Sequence, residues 1–334
     1  MMNLETLLKD YHNHVNERSN DKIPPLPLNA EQTNIVIELL EKVDKSQSDY
    51  LINLLTNRVP PGVDEAAYVK ASWLTAIANG EKFCDFVTPV KAIHLLGTMI
   101  GGYNVNSLVE ILKKEDKVTS QEAANVLKKI ILVYDAANDI FELSKNNQYA
   151  RQVIDSWAQA EWFTNKKSLP EEIKCLVFKV KGETNTDDLS PAVHATSRPD
   201  IPLHALSMLE FKEETGLNIL EDLKSQNIQI AYVGDVVGTG SSRKSAINSL
   251  IWHIGEDIPF VPNKKTGGII IGGKIAPIFF NTAQDSGALP IEADVSNLDT
   301  GDLIKIEPYK GLIKKIDPLS KSEEKISQFD LKPS

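Results

Sequence analysis

Residues 228–246 decide how the second half of the chain folds, and they read Ile-Gln-Ile-Ala-Tyr-Val-Gly-Asp-Val-Val-Gly-Thr-Gly-Ser-Ser-Arg-Lys-Ser-Ala. The opening run is apolar and β-branched, as in a buried strand, and the glycines that follow it mark a turn. From Ala246 to Ile254, apolar residues recur at helical spacing. The stretch therefore predicts a strand, a glycine-rich turn and a helix that begins near Ser241.

The predicted turn is a candidate anion site because it lies at the start of a helix. Backbone N–H groups have no partner within the helix at that end, and the helix dipole is positive there. Ser241, Ser242 and Arg243 add two hydroxyls and a guanidinium, which completes a pocket for a carboxylate or a phosphate. The alternative is a serine N-cap, with the glycines serving only the turn.

Two nucleotide-binding motifs do not match this turn. A dinucleotide fingerprint needs a third glycine at the position that Arg243 occupies. A Walker A loop needs its lysine directly after its second glycine, and Lys244 and Ser245 do not meet that spacing.

A second polar stretch, residues 181–191, reads Lys-Gly-Glu-Thr-Asn-Thr-Asp-Asp-Leu-Ser-Pro and follows a predicted strand. We expect a polar loop here, crowded with hydroxyls and carboxylates. Arg198 lies beyond it and is held extended by Pro199, and its planar guanidinium suits a carboxylate. The alternative is a solvated turn with an Asx cap.

The two halves of the chain have different hydrophobic periodicities. Up to residue 162 apolar residues recur at spacings of three and four, which predicts helices. Two similar segments, Leu54-Leu55-Thr56 and Leu95-Leu96-Gly97-Thr98, lie about 40 residues apart, near the period of HEAT repeats. We predict an all-α HEAT-like array over residues 1–162, a polar linker over 163–173 and an α/β domain over 174–334. An irregular helical bundle is the alternative for the first half.

Composition and charge exclude several classes of protein. The chain has 334 residues, 42% apolar and 25% charged, which is typical of a globular protein with room for two domains. Its net charge of -10 creates no general attraction for nucleic acid or anionic lipid. Two cysteines, Cys84 and Cys175, are too few for a disulfide framework or a four-thiolate metal site. With no signal peptide and no membrane-spanning run, we expect a cytoplasmic protein that does not enter a membrane.

The remaining polar residues are predicted to be structural. His12 and His14 lie two residues apart on a helical pattern and so face different directions, and the other four histidines have no carboxylate or cysteine partner at metal-ligand spacing. His194 and His204 are the two to check, because they flank Arg198. The run from Lys310 to Lys325 mixes both signs of charge and reads as a solvated surface.

Taken together, the two polar stretches resemble the swivelling domain of the aconitase superfamily, in which Gly-Ser-Ser-Arg, a charged residue and a nearby alanine form a defining motif. The resemblance is to the bacterial B-type family, and it also extends to residues 54–68, 197–205 and 272–281. It covers nearly the whole chain but only the front part of that family's sequence. It implies an N-terminal all-α HEAT-like array followed by an aconitase-type swivelling β/β/α domain.

The resemblance also implies a reaction and a set of site residues. The family interconverts citrate and isocitrate through cis-aconitate. Ser241 matches the catalytic base, and Ser242, Arg243 and Arg198 match groups that bind substrate carboxylates. Asp187 and Ser190 match further active-site positions. The family's 4Fe-4S cluster is held by three cysteines of later domains, so we expect this chain to ligate no metal and to be inactive alone.

The expected partners are citrate, isocitrate, cis-aconitate and the cluster-bearing domains, on the same or a separate chain. The resemblance further allows a homodimer through the helical array and binding to RNA, so a protein- or RNA-binding regulatory module is the alternative of another class. A second alternative is the swivelling subunit of a split isomerase such as isopropylmalate isomerase. The helical half disfavours it, because such a subunit lacks one.

Overall fold

The computed structural model describes residues 4–42, 45–114, 116–213 and 215–331. They form two compact units, one running to Lys167 and including Pro259–Pro262, the other comprising Ser168–Ile258 and the residues from Asn263 onward. The first unit is helical and the second is α/β with a mixed sheet, which confirms the predicted fold class at that level. None of the helices described is both long and apolar enough to cross a bilayer.

The helices of the first unit follow one another with short connections. Their bounds are α1 (Leu4–Asn20), α2 (Ala30–Leu40), α3 (Lys45–Asn57), α4 (Glu65–Ala78), α5 (Pro89–Leu96), α6 (Val105–Lys113), α7 (Lys117–Leu127), α8 (Ala136–Ser144), α9 (Gln148–Ala158) and α10 (Glu161–Thr164). Polar N-caps set several starts: Asn29 forms a capping box with Gln32, and Asp64 accepts a hydrogen bond from the Ala66 N–H.

The core of the helical unit is built from successive helix pairs. α4 packs on α5, α6 on α7 and α8 on α9, while α5, α7 and α9 also pack on one another in sequence. Leu74, Ile93, Leu108 and Leu127 are among the side chains fully buried between them. The stacking of pairs is what a helical repeat would produce, and the HEAT-like label itself stays a prediction.

The second unit alternates strands and helices. Its elements are β1 (Ile173–Asn185), α11 (Thr186–Leu189), a 3-10 turn (Ala192–His194), α12 (Ile201–Ala205), α13 (Gly216–Lys224), β2 (Ile230–Thr239), α14 (Arg243–Ile254), β3 (Glu256–Asp257), β4 (Lys265–Thr266), β5 (Ile269–Ile275), α15 (Pro277–Asp285), β6 (Leu289–Glu292), β7 (Leu303–Glu307), a second 3-10 turn (Pro308–Lys310), β8 (Leu312–Ile316) and β9 (Glu323–Gln328).

The main sheet has the strand order β6-β5-β2-β1-β7-β8-β9. β6, β5, β2 and β1 are parallel, whereas β7, β8 and β9 pair in antiparallel fashion. Both faces are covered: Tyr232 and Ile270 point into the core that includes α14 and α15, and Ala231 and Val233 into the core on the other face. Burial on both faces explains the nearly continuous apolar run of β2.

The reading of Lys310–Lys325 as a solvated surface holds for residues 317–325, which are exposed, but it was wrong for β8, which lies in the sheet. Ile313 is fully buried on one face of the sheet. Its neighbour Lys314 makes ion pairs with Glu307 on β7 and Glu323 on β9, at 3.2 Å and 3.3 Å. The charges therefore pair across strands, and their alternation with apolar residues was a strand pattern.

The polar loop expected over residues 181–191 was also wrong for most of its length. β1 continues to Asn185, and Thr186–Leu189 form the short helix α11. Asn185 accepts from the N–H groups of Asp187 and Asp188, and the Asp188 side chain accepts from the Asn185 N–H in return. This capping box is the Asx-cap alternative, and it turns the chain directly from strand to helix.

Candidate anion-binding site

Three strand-to-helix turns lie side by side at one edge of the sheet. β1 ends before α11, β2 before α14 and β5 before α15, and these three strands are neighbours and parallel. The carboxyl ends of parallel strands share one edge, which is where α/β sheets commonly bind ligands. The turn after β2 lies in the middle of this edge.

Two glycines, one at the end of β2 and one directly after it, give that turn its shape. Gly238 has a φ of +78°, and a Cβ there would lie 2.2 Å from Cγ of Phe279 on α15. Gly240 has a φ of +104°, and its Cβ would lie 2.5 Å from Oγ1 of Thr186 on α11. Both neighbouring elements therefore pack closely against the turn, and only glycine fits at these two positions.

The turn leads into α14, which begins at Arg243, two residues later than predicted. Ser242 is the N-cap residue, yet its side chain makes no capping hydrogen bond. Its N–H instead donates to Thr186 Oγ1 at 3.3 Å. The serine N-cap alternative therefore does not explain the Ser242 hydroxyl, which is left available.

The three predicted site residues of the turn are nearly without partners. Ser241 and Ser242 are exposed and Arg243 is half-buried. Within the described part of the chain neither serine hydroxyl has a hydrogen bond, and Arg243 makes one long contact of 3.5 Å from Nη1 to the Ser241 carbonyl. Two hydroxyls and a guanidinium at a helix N-terminus, all without strong partners, provide donors for an anion.

Asp187 and Ser190, by contrast, are engaged within the protein. Oδ1 of Asp187 accepts from the Ala192 N–H at 2.8 Å and so holds the 3-10 turn. Ser190 is 3% exposed, and its Oγ lies 2.9 Å from His204 Nε2. These contacts give both residues a role in shaping the site.

His204 connects Ser190 to the backbone of Arg198. Its Nδ1 lies 3.1 Å from the Arg198 carbonyl oxygen, and the Arg198 N–H donates to the His194 carbonyl at 2.9 Å. A neutral His204 with its proton on Nδ1 satisfies both sides, since Nε2 then accepts from the Ser190 hydroxyl. Arg198 is thus held by its backbone on both sides, while its guanidinium has no hydrogen bond or ion pair among the described residues.

Arg198 opens into a pocket of about 170 Å³ against α14. The lining residues are Ser190, Ala195, Arg198, Pro199, Asp200, Ile201, His204, Ser245, Asn248 and Ser249. The structure therefore brings Arg198 and Ser190 to the second turn of α14, next to the turn that carries Ser241, Ser242 and Arg243. Those three residues do not line the pocket themselves.

Sequence reasoning missed Thr186, Asn248 and Ser249. Thr186 lies within residues 181–191, which were predicted to be a polar loop. Ser245, Asn248 and Ser249 recur at three and four residues on α14, beside its buried apolar residues. This polar stripe was a signal that one face of the helix borders a polar space.

The helix ends on a different kind of polar group. His253 is 8% exposed, and its Nε2 lies 2.8 Å from the Ala205 carbonyl oxygen. Burial, together with the positive charge of Lys224, lowers the pKa of His253 from 6.5 to about 4. His253 is therefore neutral near pH 7 and belongs to the core.

The thiols of this chain do not fit an iron–sulfur cluster. Cys84 and Cys175 are both buried and lie in different units. Burial raises the pKa of Cys175 to about 12, which disfavours the thiolate that a metal requires. Among the described residues, no group of three or more histidines, cysteines and carboxylates is placed to hold a metal ion.

Two family models match this chain. The model of the aconitate B N-terminal domain matches residues 10–163, and the model of the aconitate hydratase 2 N-terminus matches residues 175–334. Aconitate hydratase B of Synechocystis sp. is 60% identical over 98% of this chain and 37% of its own length. The Escherichia coli protein of that name is 52% identical over 98% of this chain and 38% of its own length.

A solved 3-isopropylmalate dehydratase from Methanocaldococcus jannaschii is similar at 19% identity, covering 47% of this chain and 82% of that chain, with a TM-score of 0.34. The relationship rests on the two family models and the curated relatives. The chain belongs to the aconitase family. Within that family it matches the N-terminal domains of aconitate hydratase B, and it spans less than two fifths of the length of those relatives.

Proposed function

We propose that this chain carries the carboxylate-binding and base-carrying half of an aconitate hydratase site in the cytoplasm. Its substrates are citrate, isocitrate and cis-aconitate, and cluster-bearing domains outside the described residues complete the site. The observation that carries the proposal is the turn from Gly238 to Arg243, where two free hydroxyls and a guanidinium meet the start of α14. The relatives named aconitate hydratase B support the choice of substrate.

In this proposal two arginines bind substrate carboxylates. Arg243 lies at the positive end of α14, and Arg198 projects from the neighbouring loop. Ser242 and the backbone N–H groups of the first helical turn add neutral donors. Each hydrogen bond to a charged group contributes roughly 1.5–3 kcal/mol, and exposure to water keeps the total modest.

Ser241 is proposed as the base that removes a proton from a substrate carbon. Its deprotonated Oγ takes the proton, and the electron pair of the broken C–H bond forms the double bond of cis-aconitate as the C–OH bond breaks. The cluster of the other domains would act as the Lewis acid that takes up the leaving hydroxide. A serine alkoxide is favoured only where positive potential is high, and the helix N-terminus and Arg243 supply it. In the reverse direction the Ser241 hydroxyl returns the proton.

Calorimetric titration of the chain with citrate tests the binding part. We expect Arg198→Ala and Arg243→Ala each to weaken citrate binding at least about tenfold. Ser241→Ala is expected to leave it nearly unchanged, because Ser241 moves a proton and adds little to binding. Arg151→Ala in the helical unit serves as the matched control for loss of one positive charge. Citrate binding that tolerates both arginine substitutions would overturn the proposal.

The base role is tested in the chain joined to cluster-bearing domains. There Ser241→Ala should lower kcat far more than it raises KM. An increase in KM with kcat unchanged would reassign Ser241 to substrate binding. The chain alone is expected to show no aconitase activity.

For the helical unit we propose a HEAT-like array that also mediates self-association. The sequential packing of α5, α7 and α9 supports the array. Residues 1–167 are expected to fold alone with a helical circular-dichroism spectrum, and to elute from size exclusion as a dimer. Elution as a monomer at every concentration would remove the self-association proposal and leave the array intact.

A further inference from the structure

We propose that an apolar ridge on the helical unit is a surface on which the cluster-bearing domains dock. The ridge consists of Val63, Tyr68, Ile100, Tyr103 and Tyr134, all of which are exposed. The inference rests on the proposed function, because that function requires such domains. It goes beyond that function by giving the helical unit a part in holding them.

Three connecting segments and the first turn of one helix build the ridge. Residues 58–64 join α3 to α4, residues 97–104 join α5 to α6, and residues 128–135 join α7 to α8. Four of the five side chains belong to these segments, and Tyr68 lies at the start of α4. The ridge is therefore made where successive helix pairs are connected.

Contacts between the segments join these side chains into one surface. The Ile100 N–H donates to a carbonyl of the first segment at 2.8 Å. The rings of Tyr68 and Tyr103 meet edge to face, with their centroids 5.5 Å apart. A Cβ at Gly102 would lie 3.8 Å from Cε2 of Tyr134, so the third segment lies against the second. The ridge is therefore continuous across all three segments.

The middle segment is held in place before any partner binds. Asn104 is buried, and its side-chain amide donates to the Leu96 and Met99 carbonyls at 2.7 Å and 3.2 Å. Gly101 packs so closely on the first segment that a Cβ there would collide with the Gly62 carbonyl. A surface that is ordered in advance loses less entropy when a partner docks on it.

The ridge is strongly exposed although it is apolar. Val63, Ile100 and Tyr134 are 82%, 70% and 77% exposed. Single exposed apolar side chains are ordinary, but a contiguous patch of them marks an interaction surface. The ridge lies in runs without a charged residue, which are residues 59–63, 97–104 and 130–134.

The chemistry of the ridge favours a protein partner. Nucleic acid is bound mainly through lysine and arginine, and those runs contain neither. The centres of protein interfaces are depleted of charge and enriched in tyrosine, and three of the five side chains of the ridge are tyrosines.

The size of the ridge distinguishes between protein partners. Its five side chains present on the order of 500 Å² of surface at these exposed fractions. A stable complex of two separate proteins buries about 800 Å² on each partner, so the ridge is small for a second copy of this chain. Domains of one protein hold together through smaller interfaces, because the linker keeps the partner at a high local concentration.

The relatives contain further sequence that can supply such a domain. Aconitate hydratase B of Synechocystis sp. matches this chain over less than two fifths of its own length, so most of that protein has no counterpart here. The proposed function assigns the cluster-bearing domains to this remainder. They are the partner to which the inference commits.

The test compares this chain alone with a joined protein in which it replaces the matched part of the Synechocystis sp. relative. Hydroxyl-radical footprinting, read by mass spectrometry, measures the accessibility of single side chains. We expect Ile100, Tyr103 and Tyr134 to be oxidised at least about fivefold more slowly in the joined protein, because docking excludes water from them. Phe83 is the control: it is 84% exposed, in the segment that joins the other ends of α4 and α5, and should react equally in both.

Substitutions test whether apolar contact causes the protection. Ile100→Ser combined with Tyr134→Ser should raise the oxidation rate of Tyr68 and Tyr103 in the joined protein at least about threefold, because the remaining contact area is too small to hold the domains. Phe83→Ser is the matched control and should leave the protection unchanged. In the chain alone these variants should unfold at the same temperature as the unchanged chain, because the replaced side chains are exposed.

The outcomes separate this inference from the proposed function. If the ridge reacts equally fast in both proteins, or stays protected in the double variant, the docking surface is wrong, and aconitase activity of the joined protein would still uphold the proposed function. If the ridge is protected as expected but the joined protein is inactive with its cluster loaded, the docking surface is upheld and the proposed function fails. Protection that appears in the chain alone and grows with its concentration would identify a second copy as the partner and overturn the inference.

Discussion

The polar side chains at the two ends of α14 have opposite environments. At the start, the Ser241 and Ser242 hydroxyls have no hydrogen bond within the described residues, and Arg243 has only a long contact to a neighbouring carbonyl. At the end, His253 is buried, hydrogen-bonded to the Ala205 carbonyl and kept neutral by a lowered pKa. Polar groups that are satisfied inside a protein hold its fold, whereas polar groups that converge without partners on an open edge are available to a ligand.

Among substitutions near the start of α14, that of Gly238 is expected to have the largest effect on unfolding free energy. In Gly238→Ala the new Cβ meets the Phe279 ring, and the residue keeps a positive φ. We expect unfolding free energy to fall by about 2–5 kcal/mol, from strain and overpacking together, as measured by urea denaturation.

Gly182→Ala separates the two causes. Gly182 has a similar φ of +74° but open space around its Cβ position, so it should lose only about 1–2 kcal/mol. Equal losses in the two variants would mean that packing against Phe279 does not shape the turn.

Acid should destabilise the C-terminal end of α14 by protonating His253. Its pKa is about 4 in the folded protein and 6.5 ordinarily, so the unfolded chain binds the proton first as pH falls. Its contribution to stability is complete above pH 6.5 and is lost as pH falls through 4, by about 3 kcal/mol in total.

The measurement is unfolding free energy against pH, with His253→Gln as the comparison. The glutamine amide can still donate to the Ala205 carbonyl but does not titrate. The variant's curve should therefore be flatter between pH 7 and pH 4, and two parallel curves would show that His253 is not buried in its neutral form.

Loss of the Asn185 cap should have a smaller effect. Asn185→Ala removes the hydrogen bonds to the Asp187 and Asp188 N–H groups, which costs about 1 kcal/mol of unfolding free energy. Thermal denaturation of the variant provides the measurement. A change within error would contradict the capping box as the reason that β1 turns into α11.

The smallest effect is expected for Ser242→Ala, although Ser242 is also an N-cap residue. Because its side chain makes no capping bond, unfolding free energy should change by less than about 0.5 kcal/mol. Thermal denaturation beside Asn185→Ala makes the comparison direct. A loss as large as that of Asn185→Ala would mean that the hydroxyl caps the helix and is not free for a ligand.

Much of the α/β half could be predicted because local signals agreed with the fold. The apolar run of β2 and the helical spacing after Ala246 placed the starts of the strand and of the helix within two residues of their positions. The end of the strand was placed too early, because β2 continues through Gly234 and Gly238 to Thr239, where a turn was predicted. β8 and β9 were missed because their charges are neutralised by partners on other strands, and single-sequence patterns do not reveal such pairing.

The site was predictable only in part for a similar reason. Ser241, Ser242 and Arg243 follow from the turn motif, but the link from Ser190 through His204 to Arg198 depends on how a loop folds back on itself. The pocket on Asn248 and Ser249 needs the packing of α12 on α14. Contacts between separate elements are set by the tertiary fold, so the spacing of residues along the sequence does not predict them.

Two single substitutions, one at each end of α14, test the difference between the ends most directly. Arg243→Ala and His253→Ala are each measured for unfolding free energy without citrate and for citrate affinity. We predict that Arg243→Ala keeps its stability within about 0.5 kcal/mol and loses at least about tenfold in affinity. His253→Ala should lose about 2–4 kcal/mol of stability and, where folded, keep its affinity. If Arg243→Ala instead loses stability and binds citrate normally, the start of α14 is a structural element and not a ligand site.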